Sequence, residues 1–149
     1  MTEIRFYHLT RTPLERALPQ LLEKAVADGT RAVVMAGSEE RVEALTVALW
    51  IYADRSFLPH GNRRDGRPHL QPIWLTTVDE NPNDAALLVL TDGAVSERVG
   101  QYQRCLDLFD GRDAAAVEAA RRRWKSWKEA GHELIYWYQD EEGRWQQKA

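Results

Sequence analysis

The sequence predicts an α/β fold, namely a three-layer α/β/α sandwich around a mostly parallel sheet. Short apolar runs alternate along the chain with segments whose apolar residues recur every three or four positions, as strands alternating with helices do. The inner runs, at residues 31–36 and 86–90, are almost continuously apolar, which is typical of strands covered on both faces. Since the 149 residues contain no linker or repeat, we expect a single domain over residues 1–149.

The first helix is predicted between strands at residues 4–9 and 31–36. Thr12 is expected to cap this helix, with Pro13 at the first helical position, where the missing N–H group costs nothing. Gly29, after an aspartate, is expected to end it.

A second helix follows Ser38, which is its predicted N-cap. Residues 57–71 are predicted to form a polar loop rich in glycine and proline. A third strand is expected at residues 73–76, a turn at 81–84 and a fourth strand at 86–90. The apolar stripe of the second helix should face the core, and it consists of Val42, Leu45, Leu49 and Trp50.

The sequence of residues 96–149 predicts two more helices and one strand. Residues 96–109 show helical spacing of apolar side chains, and Asp113 is expected to cap a last helix that runs to about residue 130. A final strand is expected at residues 134–138, and residues 139–149 are predicted to be a polar tail. The inward side chains of the helix at 96–109 would be Val99, Tyr102, Cys105, Leu106 and Phe109.

Composition and charge narrow the possible classes of function. The net charge of -3 argues against nucleic-acid binding over a whole face. No apolar run approaches the ~20 residues of a membrane span, and the N-terminus lacks the apolar stretch of a secretory signal. The single cysteine, Cys105, excludes an internal disulfide and a cysteine zinc cluster. We therefore expect a cytoplasmic protein.

No motif for catalysis, a cofactor or a metal is visible in the sequence. There is no phosphate-binding GxxxxGK[ST] motif, and the lone Gly37 after the second strand is ordinary turn chemistry. The four histidines are scattered, and the acidic segment at residues 79–84 is interpreted as a plain turn rather than a metal site. We expect no cofactor, no metal and no intrinsic catalysis, although distant residues could still assemble a catalytic site.

A basic-aromatic strip at residues 121–128 is the most informative segment of the chain. It holds five positive charges and two tryptophans within eight residues of an acidic protein. On a helical wheel of ~100° per residue, both tryptophans fall on the apolar arc, and three cations group within roughly 60° beside it. The grouped cations are Arg121, Lys125 and Lys128.

Two interpretations of the strip are open. Arginines and lysines on a solvated face near a helix C-terminus are common, because the helix dipole favours them there. A basic ridge beside the apolar seam at Trp124 also suits an acidic ligand that carries a ring, such as a peptide C-terminus. Arg123 falls inside the apolar arc, and we expect its stem to be buried and its charge to reach solvent.

A second aromatic cluster flanks the loop after the second helix. Trp50, Tyr52 and Phe57 lie close together there, and rings at loop edges are common anchors of protein interfaces. The sequence supports core packing and an interface about equally for these rings.

The chain resembles the chi subunit of bacterial DNA polymerase III, a part of the clamp-loader complex. The resemblance extends in order over nearly the whole chain. Its matching segments are residues 4–9, 48–50, 56–60, 107–110, 120–125 and 130–132.

The resemblance implies a non-enzymatic adaptor with an α/β fold. It implies binding to the acidic, phenylalanine-ending tail of single-stranded DNA-binding protein and to a psi-like subunit, which tethers the adaptor to the clamp loader. The tail site carried over from the family consists of Phe109, Arg121 and Trp124, with Lys125 and Lys128 as helpers. The psi-like surface carried over consists of Trp50 and Phe57. Nothing can be carried over to the loop at residues 61–69 or to the tail at 139–149.

Two alternatives remain open at the level of sequence. The strip could bind single-stranded nucleic acid directly, with bases stacked on Trp124 or Trp127. A cryptic enzyme of the sandwich fold would instead need a pocket that joins a histidine to carboxylates.

Overall fold

A seven-stranded sheet forms the centre of the molecule within residues 2–52 and 58–148, the part of the chain that the computed structural model describes. The strands lie in the order β3-β2-β4-β5-β1-β6-β7, and every neighbouring pair is parallel except β6–β7. Their bounds are β1 Glu3–Leu9, β2 Ala32–Met35, β3 Ile73–Thr76, β4 Leu87–Leu90, β5 Arg104–Asp110, β6 Glu133–Gln139 and β7 Trp145–Gln147.

Helices cover the sheet on both faces. α1 (Leu14–Ala27) and α2 (Glu39–Tyr52) pack on one face, and α3 (Ala114–Glu129) packs on the other. The predicted three-layer sandwich with a mostly parallel sheet is confirmed. Among the described residues, no helix is both long enough and apolar enough to cross a membrane.

The alternation of side chains along β1 divides the core into two halves. Tyr7 and Leu9 point towards α1 and α2, whereas Ile4 and Phe6 point towards α3. Because helices cover both faces, the inner strands β2 and β4 are buried along their whole length. This explains the continuous apolar runs in the sequence.

The predicted caps of α2 and α3 are confirmed. Ser38 Oγ accepts the backbone N–H of Arg41 at 3.2 Å. The Asp113 side chain accepts the backbone N–H groups of Ala115 and Ala116 at 3.0 and 3.4 Å. Both caps use residues that are neighbours in the sequence, so the local pattern was sufficient to predict them.

The prediction that Thr12 caps α1 is wrong. The N-cap is Pro13, which has extended backbone angles and makes no side-chain cap. The Thr12 hydroxyl instead accepts a hydrogen bond from the Gln139 side-chain amide at 2.8 Å. The Gln139 carbonyl accepts backbone N–H groups at the start of the same loop, including that of Arg11 at 2.9 Å. The Thr12 hydroxyl, which the local sequence predicts as the helix cap, is therefore bound to a residue distant in the sequence.

The predicted helix at residues 96–109 is also wrong. A 3₁₀ turn at Val99–Gln101 is followed by β5, which lies in the centre of the sheet. Asp107 interrupts the apolar run of this strand, and the remaining apolar residues then match helical spacing. Cys105 is buried in the strand rather than in a helix, and burial raises the pKa of its thiol well above the ordinary value.

The predicted polar tail contains one more strand, so that prediction is wrong for β7. The Asp140 carboxylate accepts the backbone N–H groups of Glu142 and Arg144, each at 2.9 Å, and Gly143 has a positive φ of 81°. This turn folds β7 back antiparallel to β6. The backbone N–H of Lys148 then donates to the Tyr136 carbonyl at 2.8 Å, which holds the end of the tail against the sheet.

Candidate functional site

A groove of about 400 Å³ lies between α3 and β6. α3 contributes four of its lining residues at positions i, i+3, i+4 and i+7, which share one helix face. β6 and the end of the tail supply the opposite side. The lining residues are Val117, Ala120, Arg121, Trp124, Tyr136 and Lys148.

Aromatic side chains support the walls of the groove. The fully buried ring of Phe6 contacts Trp124 edge-on at 5.2 Å and stacks against Tyr136 at 6.4 Å. The rings of Trp124 and Tyr136 also meet edge-on, with their centres 5.7 Å apart. Because each wall rests on the same buried ring, the groove is formed before any ligand arrives.

A histidine behind the groove holds Tyr136 in place. His8 Nδ1 lies 2.5 Å from the Tyr136 hydroxyl. Burial lowers the pKa of His8, although a hydrogen bond with the Gly111 backbone opposes that shift. Burial also raises the pKa of Tyr136, against the effect of the nearby Arg121 charge. Both shifts favour the neutral forms, in which one group can donate a hydrogen bond to the other.

Two cations flank the apolar centre of the groove. Neither Arg121 nor Lys148 forms an ion pair within residues 2–52 and 58–148. Both residues line the groove, and both charges lower the pKa of the nearby His8. The groove therefore combines unneutralised positive charge with apolar and aromatic walls, which suits an anion that carries an aromatic group.

The predicted tail-site residues lie in different positions relative to the groove. Arg121 and Trp124 line it together. Phe109 is 4% exposed and lies beneath it, with its ring centre 6.3 Å from that of Tyr136. Lys125 and Lys128 are exposed on α3 and do not line the groove.

The expectation that the Arg123 charge reaches solvent is wrong. Its side chain is 10% exposed and forms a buried ion pair with Asp107, whose side chain is 2% exposed. The guanidinium donates from Nε and a terminal nitrogen to the two carboxylate oxygens at 2.7 and 3.0 Å. Because β5 was predicted as a helix, its carboxylate was not recognised as a partner for α3.

Sequence reasoning missed Tyr136 and Lys148 as site residues. Tyr136 lies within the predicted last strand, and the alternation of that strand could have placed it on the face that α3 covers. Lys148 comes from the predicted tail, where Asp140 and Gly143 are a hairpin signal that was not used.

A second exposed feature lies on the other layer of the sandwich. Trp50 was predicted to be buried with the stripe of α2, and that prediction is wrong because its side chain is 64% exposed. Its ring meets that of His60 edge-on at 4.7 Å. Phe57, the other residue predicted for this surface, lies outside the described residues.

A larger cavity of about 550 Å³ lies at the carboxyl ends of β1 and β5. Its charges are largely paired with one another, since Arg41 contacts Glu15 at 3.0 Å and Asp92 at 3.1 Å. Within residues 2–52 and 58–148, no histidine lines this cavity. It therefore lacks the histidine–carboxylate pair that the enzyme alternative requires.

Gly111 is expected to be essential for the back of the groove. A Cβ at this position would lie 1.9 Å from the His8 ring and 2.9 Å from the Leu9 carbonyl oxygen. Gly111→Ala should therefore displace His8 from Tyr136 and lower the free energy of unfolding by roughly 1–3 kcal/mol, as overpacking does. Urea denaturation measures the change. Gly100→Ala is the control, because the nearest atom to its Cβ would be 3.8 Å away. Equal stability of the two variants would contradict this account.

Comparison with known proteins agrees with the resemblance in the sequence. The sequence model of the family described as DNA polymerase III chi subunit, HolC, matches residues 1–135. A protein of Rickettsia prowazekii (strain Madrid E) named "Probable DNA polymerase III subunit chi" is 28% identical over 109 residues. That match covers 73% of this chain and 66% of the relative, so the chain spans slightly less than two thirds of the relative's length. The match to the family includes the α3 side of the groove and ends before Tyr136.

Proposed function

The chain belongs to the DNA polymerase III chi subunit family, and we propose that it is a non-catalytic adaptor that binds the acidic C-terminal tail of single-stranded DNA-binding protein. In this role it links that protein to the clamp loader of the polymerase. The observation that carries the proposal is the groove, in which Arg121 and Lys148, both without an ion pair among the described residues, flank an apolar wall that includes Trp124 and Tyr136.

Each part of a phenylalanine-ending tail has a counterpart at the groove. The Arg121 guanidinium can donate two hydrogen bonds to a terminal carboxylate. The phenylalanine ring can pack against the apolar wall that Trp124 and Tyr136 form together, with Phe109 buried beneath it. Acidic residues further up the tail can meet Lys125 and Lys128, which lie outside the groove on the same helix.

The proposal implies moderate affinity that depends on salt. One buried ring and a few partly exposed charges suggest a micromolar dissociation constant, on the order of -8 kcal/mol. Salt screens the exposed charges, so binding should weaken as ionic strength rises.

Arg121→Ala is expected to weaken peptide binding by about tenfold or more, because the terminal carboxylate loses its bidentate partner. Calorimetric titration with an acidic peptide that ends in Pro-Phe measures the change. Arg122→Ala is the matched control, since Arg122 is exposed and paired with Glu118 on the same helix. The proposal would be wrong if the peptide failed to bind at low salt, or if both variants bound it equally well.

We also propose that a psi-like clamp-loader subunit binds at Trp50 and Phe57. The support for this half of the proposal is the exposure of Trp50 on α2. α2 and α3 lie on opposite faces of the sheet. The two partners can therefore be held at the same time, as a linking role requires.

Direct binding of single-stranded nucleic acid has less support. Trp127 packs against Phe6 at 5.6 Å, so its ring is engaged within the core and is poorly placed to stack on a base. Arg123 is neutralised by Asp107, which removes one charge from the strip. Fluorescence anisotropy with an oligonucleotide separates the two functions, because the adaptor should bind DNA negligibly at physiological salt.

A further inference from the structure

α2 carries apolar side chains on its outer face. Val47, Trp50 and Ile51, which we name the α2 stripe, are each more than half exposed. The opposite face of the helix is buried in the core. A surface helix ordinarily places polar residues on its outer face, and a contiguous apolar stripe marks a contact surface.

The loop at residues 61–70, which we name the arginine loop, runs beside this stripe. The Asn62 side chain donates to Thr46 Oγ1 of α2 at 3.0 Å, and Arg64 lies 3.5 Å from Glu43. Glu43, Val47 and Trp50 are spaced at i, i+4 and i+7 and therefore lie in line on the helix. Arg64 of the loop contacts Glu43 at the start of this row of side chains. The ring of His60, the residue before the loop, contacts Trp50 at its end.

Backbone contacts hold the start of the arginine loop in place. The Gly61 N–H donates to the Ile73 carbonyl at 3.0 Å, and the Leu75 N–H donates to the Gly61 carbonyl at 2.9 Å. The Asp65 carboxylate accepts the Asn62 N–H at 2.9 Å, which closes a tight turn. The loop is therefore anchored to both β3 and α2.

The arginine loop is positively charged on an acidic protein. It contains Arg63, Arg64 and Arg67 but a single acid, Asp65, whereas the whole chain has a net charge of -3. Arg63 and Arg67 are exposed, and neither forms an ion pair within the described part of the chain. The pair between Arg64 and Glu43 is exposed, so solvent screens it strongly. Arg63 and Arg67 are therefore complementary to a negatively charged partner beside the α2 stripe.

We propose that the α2 stripe and the arginine loop form one docking surface for an acidic, amphipathic segment of a partner protein. The inference rests on the proposed function of Trp50 and adds the chemistry of its partner. Apolar side chains of the segment would cover the stripe, and its carboxylates would face Arg63 and Arg67. Val47 and Ile51 favour a polypeptide over nucleic acid, since bases stack on aromatic rings rather than on aliphatic side chains.

Selection from a phage library of random peptides tests this proposal. The full-length protein carries Arg121→Ala, and the peptides are joined to the phage at their C-termini, so the groove does not select free tails. Peptides that bind in a Trp50-dependent manner are expected to be acidic, with apolar residues three or four positions apart. A synthetic peptide of this class should bind about tenfold more weakly to the Arg63→Glu, Arg67→Glu variant. Arg16→Glu, Arg98→Glu is the control, because it makes the same change in charge at exposed sites elsewhere.

The outcomes separate this inference from the proposed function. The selected peptides could depend on Trp50 for binding and yet be neutral or basic, or bind the Arg63→Glu, Arg67→Glu variant with unchanged affinity. Either result would be consistent with a docking surface at Trp50 but would contradict the inference that its partner is acidic. Selected peptides that bind equally well to Trp50→Ala would contradict both the acidic docking surface and the proposed role of Trp50 in partner binding. An oligothymidine that competes with the peptide and requires Arg63 and Arg67 would assign the surface to nucleic acid instead. Self-association lost on Trp50→Ala would assign it to a second copy of the chain.

Discussion

Replacement of Arg123 by methionine is expected to lower the free energy of unfolding by about 3–5 kcal/mol, because it leaves a buried carboxylate without its partner. Asp107 lies in the centre of the sheet and receives two hydrogen bonds from the Arg123 guanidinium. Burial raises the pKa of Asp107, and the arginine opposes that shift. Urea denaturation at neutral pH measures the loss.

The pH dependence of this loss has a definite sign. Without Arg123, the pKa of Asp107 in the folded state rises further above its ordinary value of 3.8. The folded variant then takes up a proton more readily than the unfolded chain, so its stability is lost as pH rises through the folded-state pKa. The deficit relative to the native protein should therefore be largest at neutral pH and shrink as pH falls towards that ordinary value.

Two further variants control this experiment. Arg123→Met combined with Asp107→Leu removes both charges and should recover most of the stability, because no unpaired charge remains. Arg122→Ala, at an exposed position one residue away, should change the free energy of unfolding by less than about 0.5 kcal/mol. A large loss in Arg122→Ala and none in Arg123→Met would contradict the buried pair.

Phe6→Ala is expected to lower the free energy of unfolding by about 3–5 kcal/mol, since truncation of a fully buried phenylalanine leaves a cavity. The Phe6 ring contacts Phe109, Trp124, Trp127 and Tyr136, so it joins β1 to α3 and β6. Thermal and urea denaturation both measure the loss.

Phe6→Leu distinguishes the packing role of this ring from its role in the groove. Leucine keeps most of the apolar side chain and leaves a smaller cavity, so this variant should lose less stability than Phe6→Ala. Because Trp124 and Tyr136 lose the ring that both of them touch, the folded Phe6→Leu protein should still bind the acidic peptide more weakly. A stable Phe6→Ala protein with unchanged peptide affinity would show that the aromatic cluster supports neither the fold nor the groove.

Features that depend on neighbouring residues were predictable from the sequence. The caps at Ser38 and Asp113 and the strand β1 follow from short local patterns. The layered architecture followed from the alternation of apolar runs with helical periodicity. The hydrogen bond of the Thr12 hydroxyl was not predictable in this way, because its donor, Gln139, lies on a strand more than a hundred residues later.

β5 shows why a central strand can be misread. Helices cover both of its faces, so its side chains do not alternate between apolar and polar. Its one buried acid, Asp107, breaks the apolar run and is neutralised by Arg123 on α3. Both facts depend on tertiary packing, which periodicity within the strand does not reveal.

Only the α3 side of the groove was predictable from the sequence. Arg121 and Trp124 belong to a single helix, so the helical wheel placed them together before the fold was known. Tyr136 enters the groove because β6 pairs with β1 in a register that sets it beside Phe6. Lys148 arrives through the hairpin between β6 and β7. Strand register and the hairpin are tertiary features, and they supply the missing half of the groove.

The indole N–H resonances of the tryptophans test the central claim most directly, because they report both binding and its location. The full-length protein is labelled with ¹⁵N and titrated with an acidic peptide that ends in Pro-Phe. The resonance of Trp124, assigned by substitution, is expected to shift progressively to saturation, and the resonance of Trp50 on the opposite layer is expected to stay in place. A shift at Trp50 without one at Trp124, or no shift of either at saturating peptide, would contradict the groove as the binding site.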